Sequence, residues 1–451
     1  MNQIHTHGAT EGAVRVRIAP SPTGRLHIGN LRAALFNWLF ARRNSGTFIV
    51  RIEDTDLERS KKEYVDSILD AFAWVGMHSD ETIVYQSERT DVYRSYIDSL
   101  VASGAAYWSD PLSEENGTSV VRFRVPRHEQ SVTFTDCIRG PITVPIDQID
   151  DFVIARADGS PLYNFVVVID DMVMRMTHVI RGEDHISNTP KQLLLYRALG
   201  VMPPHFAHLP LILGVSGAPL SKRDAATAVL DYKEQGYLPD ALCNYLVRLG
   251  WSHGDQEIFS RDEMIALFDI ADVQKAGAIF DVVKLRWMNS QYLRAMSASA
   301  ILAYMSDVLS IPISEQFADW TRSQLEALVD LYKDRVATVR ELEAVLQQLH
   351  TGPIELPEAP MFTEQSSLLL RDFLMHYPVL ESYDRDSIES LIRRLCSHAG
   401  VGLVLLAKPL RYAITGSMES PSIFMILSIL GYDTVYERIA KLDEVLRGKN
   451  G

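Results

Sequence analysis

The sequence predicts an α/β protein: a core that opens strand, turn, helix, strand, helix, then a sheet-rich insertion, then an all-helical C-terminal third. Three observations carry this. The segments "VRVRIA" and "TFIVRIED" alternate at period two, and helical spacing lies between and after them. From Ser103 to about Asp184 the texture changes to short β-rich pieces joined by Gly, Pro and Asp turns. From about Asp240 onward nearly every segment has helical spacing, broken at "HTGPIELPEAP" and "ITGSMESPS".

Taken in order, "RVRIAPSPTGRLHIGNLRAALFNWLFARR" (Arg15 to Arg43) begins as a strand and ends as a helix whose Leu31, Leu35, Trp38 and Leu39 suit a core. A second strand follows, and after Ser60 the residues Tyr64, Val65, Ile68, Leu69 and Phe72 fall on one helical face. Tyr93, Tyr96, Ile97 and Leu100 do the same in the next segment. The β-rich pieces of the insertion are "VVRFRV", "SVTFTD", "PITV", "DFVIA", "YNFVVVIDD" and "THVIRG". Helical spacing resumes at "TPKQLLLYRALG", where Thr189 is placed to cap and Pro190 suits a first turn.

Length and composition bound the function. A chain of 451 residues accommodates two to four domains, and 47% hydrophobic residues support packed cores. No window reaches the roughly 18 to 20 apolar residues that cross a bilayer, and the start "MNQIHTHGATEGAV" lacks the basic flank and apolar run of a secretion signal. A cytoplasmic protein without a membrane partner is expected. Cys137, Cys243 and Cys396 are odd in number and far apart, which predicts buried free thiols and no disulfide framework. A net charge of −14 excludes indiscriminate polyanion binding but leaves room for a local basic track.

The first turn is where chemistry is expected. A strand that hands its chain through a tight turn to a helix N-terminus sets backbone N–H groups and the positive helix end at one place, suited to a phosphate. Neither G-x-G-x-x-G nor G-x-x-x-x-G-K-[ST] is present. Instead Pro20 and Pro22 fix the backbone, Gly24 or Gly29 allows close approach, and His27 offers a side-chain donor. Far along the chain, "LGVSGAPLSKRDAATAVLDY" puts Ser221, Lys222 and Arg223 on a Gly/Pro-rich loop, where a lysine can reach a phosphate. Each motif by itself is ordinary: a histidine at a helix start is commonly structural, and such a loop is commonly a solvated turn.

Together they are not. H-I-G-N after the first strand and L-S-K-R after a β insertion resemble the two signature motifs of class I aminoacyl-tRNA synthetases. Within that class the sequence resembles the glutamyl-tRNA synthetase family of bacterial type, through "RIAPSPTG", "FIVRIEDTD", "YQSERTDVYR", "YNFVVVIDD", "THVIRGEDHISNTPKQLLLYRALG", "GYLPDALCNYLVRLGWSHGDQEIF", "KLRWMN" and "KPLRYAITGSMESP". These segments run from about Arg15 to Ser420, nearly the whole chain.

The resemblance implies a class I synthetase core with a Rossmann-like parallel sheet, an inserted α+β domain and an all-α C-terminal domain. The implied divisions are 14–102 for the first half of the catalytic core and 103–184 for an acceptor-binding insertion. Residues 185–239 would form the second half with the LSKR loop, 240–300 a stem-contact region, and 301–451 an anticodon-binding domain. The implied reaction is activation of L-glutamate by ATP with Mg2+ and transfer to tRNA(Glu). His27 and Lys222 would be catalytic. Pro20, His27, Gly29, Asn30, Ser221, Lys222 and Arg223 would hold ATP, and Arg17, Ala19, Ser21, Glu53, Tyr163 and Arg181 would hold glutamate. A γ-carboxylate suits arginine, whose planar fork meets it with two parallel hydrogen bonds. Asp54 and Asp56 would serve structure or the tRNA end. A monomer is expected.

Two departures stand out. The second family motif normally begins with a lysine, where this chain has Pro219. Many relatives carry a Cys-rich zinc site in the insertion, but "GAAYWSDPLSEENGTSVVRFRV" has no cysteine, so no zinc is expected. Glutamine specificity, relaxed charging of tRNA(Gln) with glutamate, and a silent tRNA-binding paralogue remain open at this stage. Residues 301–451 carry 14 Lys/Arg against 21 Asp/Glu, so RNA contacts there would be local clusters such as Lys333, Arg335, Arg340, Arg393 and Arg394.

Overall fold

A computed structural model of the chain describes residues 13–56, 58–114, 117–220, 228–353 and 362–448. The chain divides into two compact units, one of residues 1–233 with 239–285, the other of 234–238 with 286–451.

The first unit opens with β1 (Arg15–Ile18), α1 (Ile28–Arg43) and β2 (Thr47–Ile52). β1 and β2 pair in parallel, Arg17 opposite Ile49, and β2 pairs in parallel with β3 (Val84–Tyr85). Between β2 and β3 runs α2 (Lys62–Trp74), and α3 (Thr90–Ala102) follows. The parallel crossovers require covering helices, and α1 is accordingly buried almost all round. The α1–β2 turn is tight enough that a Cβ on Gly46 would lie 2.3 Å from the Val14 carbonyl oxygen.

The insertion contributes an antiparallel sheet of β4 (Ala106–Trp108), β5 (Val121–Phe123) and β8 (Phe152–Ala155). A second sheet has the order β7 (Gly140–Pro145), β6 (Ser131–Asp136), β10 (His205–Leu209), β9 (His178–Gly182). β9 and β10 pair in parallel along five residues, so residues on both sides of position 184 share this sheet. β9 also adjoins β1, where the Thr177 N–H donates to the Arg15 carbonyl at 3.0 Å. A two-stranded parallel sheet joins β11 (Ile212–Leu213) to β12 (Ala278–Ile279).

One segment departs from expectation. "YNFVVVIDD", expected as a strand, is the helix α4 (Tyr163–Val173). Its valines and isoleucine favour strands locally, but every residue from Phe165 to Asp171 is buried. A helix enclosed on all sides reads as one continuous apolar run, which periodicity cannot tell from a buried strand. Thr189 is also not a cap. It is the first residue of α5 (Thr189–Ala198), follows Asn188 in the capping position, and turns its hydroxyl inward instead. Cys243 and Cys396 are buried free thiols, whereas Cys137 is only half-buried.

The rest of the first unit is helical: α6 (Val229–Glu234), α7 (Pro239–Arg248) and α8 (Arg261–Leu267). Arg32 ties α1 to this region, donating from the protein interior to the carbonyls of Leu249 (2.8 Å) and Pro210.

The second unit is all helical among its described residues. After α9 (Val282–Ala295) come α10 (Ala298–Leu309), α11 (Ile313–Gln316), α12 (Arg322–Tyr332), α13 (Val339–Thr351), α14 (Glu364–His376), α15 (Arg385–His398), α16 (Val404–Thr415), α17 (Ile423–Leu430) and α18 (Tyr432–Gly448). Thr321 and Gln324 form a capping box on α12, and Asp384 caps α15 through the Ser387 N–H. No helix among the described residues is long and apolar enough to cross a membrane.

Candidate active site

The end of β1, the turn after it and the start of α1 form one wall of a cleft of about 1000 Å³. Arg17, Ala19, Pro20, Ser21, His27, Gly29, Asn30, Glu53, Tyr163 and Arg181 all line it. These are the sequence-predicted site residues outside the second motif. Ser221, Lys222 and Arg223 lie outside the described residues. Leu220 and Ala228, which bracket them, both line the cleft. Ala228 bridges to His27, the Val229 N–H donates to the Leu26 carbonyl (2.8 Å), and Arg25 pairs with Asp231 at 2.6 Å. Pro219 bridges to Leu213 and lines the same cleft.

His27 is the residue before α1, exposed, with Nδ1 accepting the Gly29 N–H at 3.1 Å. That bond sets the neutral ring with its proton on Nε2, a donor. A Cβ on Gly29 would lie 3.0 Å from the His27 ring, whereas one on Gly24 meets nothing, so Gly29 is the close-approach position. The backbone N–H groups do not all point outward as expected. Those of Gly29, Asn30 and Leu31 are taken by His27 itself, through Nδ1 and the carbonyl oxygen. The favourable field for an anion here comes from the helix end and side-chain donors rather than from a ring of unpaired amides.

Beneath β1 and β2 lies a buried ion network that sequence reasoning missed. Arg17 grips Asp171 with Nε on Oδ1 (3.0 Å) and Nη2 on Oδ2 (3.3 Å). Arg51, wholly buried, donates to Asp171 at 2.7 Å and lies 3.4 Å from Glu53 and 3.7 Å from Asp170. Asp170 further accepts from Gln86 (2.8 Å), Arg89 (2.8 Å) and Tyr93 (2.9 Å). Burial by itself would push these groups toward neutrality. For Arg51 the combined charges of Asp171, Glu53 and Asp170 outweigh it and hold the guanidinium protonated. For Asp171, Arg17 and Arg51 outweigh it and depress the carboxyl. Glu53 goes the other way. Burial raises it further than Arg51 and Arg17 lower it, so it suits an arriving ammonium group. Asp170 and Asp171 were hidden because their segment read as a strand.

Arg181 sits on β9, 7% exposed, and its partners are all neutral. Nε–H donates to His208 Nε2 (3.2 Å), and Nη2 donates to Thr189 Oγ1 (2.8 Å) and Gln192 Oε1 (2.9 Å). Its pKa is lowered, first by burial. Tyr163 opens α4, its hydroxyl 3.0 Å from His185 Nδ1, and crowding by protein with the charge of Glu53 pushes its phenol up to about 12. Asp54 is structural, its carboxylate accepting the N–H (2.9 Å) and hydroxyl (2.7 Å) of Ser87, and Asp56 pairs with Arg59 on the surface.

In the second unit, Lys333, Arg340 and Arg393 are held by Asp330, Glu343 and Glu389. Arg335 and Arg394 are exposed, with no carboxylate partner among the described residues. No group of three or more His, Cys, Asp or Glu that could hold a metal occurs among the described residues.

Two family models match the chain: tRNA synthetases class I (E and Q), catalytic domain, over residues 13–116 and 110–287, and anticodon binding domain over 300–442. The chain is 40% identical to a glutamate–tRNA ligase of Dichelobacter nodosus over 94% of its length and 97% of that protein. It is 39% identical to one of Thermodesulfovibrio yellowstonii, over 95% and 99%. The crystal structure of a glutamate tRNA ligase from Elizabethkingia meningosepticum, in complex with its amino acid, superposes with a TM-score of 0.85 at 32% identity, covering 96% of this chain and 99% of that one.

Proposed function

The chain belongs to the class I tRNA synthetases of the glutamate and glutamine group, and from that premise we infer that it is a glutamate–tRNA ligase. It activates L-glutamate with ATP and transfers it to tRNA(Glu), releasing diphosphate and AMP. The observation that carries the choice of amino acid is Arg181: a buried guanidinium on the cleft whose partners are all neutral. Leaving a cation so placed costs free energy unless an anion arrives, and a γ-carboxylate meets that need where the amide of glutamine does not.

In this reading Arg181 and Arg17 take the γ-carboxylate, Glu53 takes the substrate ammonium, and Ala19, Ser21 and Tyr163 complete the amino-acid pocket. The α-carboxylate then attacks the α-phosphorus of ATP in line. The charge gathering on the phosphoryl oxygens is met by the His27 Nε2–H, the positive end of α1 and Lys222, with Pro20, Gly29, Asn30, Ser221 and Arg223 around the nucleotide. Magnesium bound with the nucleotide would supply relief of its phosphates' charge. No carboxylate cage for it occurs among the described residues, so phosphates and water would be its main ligands. Residues 103–184 would receive the acceptor end of the tRNA, 240–300 its stem and 301–451 its anticodon, with Arg335 and Arg394 as two exposed cations there that have no carboxylate partner among the described residues. Zinc is not required, and elemental analysis finding about one zinc per chain would refute that.

The deciding experiment is aminoacylation of purified tRNA(Glu) and tRNA(Gln) with labelled glutamate and labelled glutamine. Glutamate on tRNA(Glu) is the expected product. Glutamate on both tRNAs would identify a relaxed enzyme, and no product at all would overturn the reading. Lys222→Ala is expected to slow adenylate formation by about two orders of magnitude in a folded protein, the loss typical of a removed transition-state donor. Near-normal turnover would remove Lys222 from the chemistry.

A further inference from the structure

A guanidinium that is to meet a small anion must be held at a fixed angle, and around Arg181 this is done by groups that do not line the cleft. We propose that His208, oriented by Asp136, is a positioning residue for Arg181 and thereby helps select a carboxylate side chain over its amide. The proposal rests on the reading that Arg181 takes the γ-carboxylate.

The chain of contacts starts at the end of β6. Asp136 Oδ1 accepts the N–H groups of Ile138 (3.0 Å) and Arg139 (2.9 Å), with the His208 N–H at 3.3 Å, which fixes the carboxylate. Oδ2 remains for His208 Nδ1, 2.6 Å away. A carboxylate only accepts, so the imidazole proton lies on Nδ1, and in the neutral ring Nε2 is then an acceptor. That is the form able to receive the Arg181 Nε–H at 3.2 Å. Thr189 Oγ1 stands 3.1 Å from the same nitrogen and accepts from Arg181 Nη2. The ring cannot readily turn away, because Phe206 stacks on it at 6.2 Å and Phe134 meets it edge-on at 6.5 Å. Asp136, His208 and Thr189 are all buried. Burial, with Arg181 nearby, keeps His208 below its ordinary pKa despite the pull of Asp136, so the neutral ring persists.

The consequence is a division of the guanidinium. Nε and Nη2 are tied to protein, and Nη1 has no protein hydrogen bond among the described residues. The charge of Asp136 reaches Arg181 only through a neutral ring. Asp136 thus orients the ring without occupying the donors a substrate carboxylate needs. A carboxylate placed directly on Arg181 would compete with the ligand for them.

Asp136→Asn is close to isosteric and tests the idea. An amide N–H facing Nδ1 moves the imidazole proton to Nε2, setting a donor against the Arg181 Nε–H. The expected result is a rise of about tenfold or more in KM for glutamate in aminoacylation, with KM for ATP within about twofold. His208→Leu should do the same, and His208→Gln, which keeps an acceptor, should restore most of the loss. On an Arg181→Gln background, Asp136→Asn should add nothing, since the group it positions is gone. Unchanged KM for glutamate in folded D136N and H208L, beside a large rise in R181Q, would overturn the positioning role and leave the Arg181 reading standing. An unchanged KM in R181Q would remove both. Equal rises for glutamate and ATP, or an undiminished effect of D136N on the R181Q background, would show that Asp136 merely braces β6 against β10 and would also overturn the proposal. Should D136N fail to fold, the comparison of H208Q with H208L decides by the same criteria.

Discussion

Arg17 and Arg181 line the same cleft and are both nearly inaccessible, yet their surroundings are opposite. Arg17 belongs to a network in which three guanidinium groups, of Arg17, Arg51 and Arg89, face three carboxylates, of Glu53, Asp170 and Asp171. Arg181 rests on an imidazole, a hydroxyl and an amide. The first region is neutral as a whole and braces β1, β2 and α4 against one another. The second keeps a net positive charge beside empty space. Residue type and burial therefore do not show how far an arginine's charge is already balanced within the protein; the charge of its partners does.

The largest expected effect breaks the first region. Asp171→Asn leaves Arg17 and Arg51 sharing a neutral amide in the interior, and loss of one member of a buried pair typically costs about 3–5 kcal/mol. Denaturant unfolding measures this, and a loss under about 1 kcal/mol would mean that the network does not brace the core. Arg181→Gln should behave differently, shifting stability by no more than about 1 kcal/mol, because it removes a buried charge that no protein carboxylate offsets. A collapse in stability there would erase the contrast.

Acidification sharpens it. The Asp171 carboxyl is depressed below its ordinary 3.8, so its contribution is complete above that value and is lost as pH falls through the lower, folded-state pKa. The stability gap between the unaltered protein and D171N should therefore be flat near neutrality and narrow below 3.8. A gap that widened with acid would contradict the assignment.

How much of this was legible beforehand follows the same division. The parallel opening unit was readable because its strands alternate and its turn is marked by Pro20, Pro22 and His27. Arg17, Glu53 and Arg181 stood in motifs, and the structure places them on one cleft. What pairs with them was not readable. Asp170 and Asp171 sit on a helix enclosed on all sides, whose Val166–Val168 run favours a strand by local preference. His208 and Asp136 come from strands 72 residues apart in sequence, and nothing in either segment announces the hydrogen bond between them. Thr189 looked like a cap because threonine before proline commonly is one; tertiary contact with Arg181 took its hydroxyl instead.

The smallest expected effect concerns the end of the cleft where ATP is proposed to bind. Gly29→Ala would bring a methyl 3.0 Å from the His27 ring, which the exposed ring can relieve by shifting a few tenths of an ångström. A reduction of about twofold to tenfold in kcat, with KM for glutamate unchanged, is expected for so small a displacement of a donor proposed to meet phosphate. Full activity would mean that His27 tolerates the shift and does not need its present angle.

The central claim is that the uncompensated charge of Arg181 chooses the substrate. It is tested most directly by the ratio of kcat/KM for glutamate to that for glutamine in aminoacylation of tRNA(Glu), compared between the unaltered protein and R181Q. The account predicts that this ratio falls by about 100-fold, the scale of a lost buried charge pair, while the melting temperature stays nearly constant. An unchanged ratio in a folded R181Q protein would contradict it.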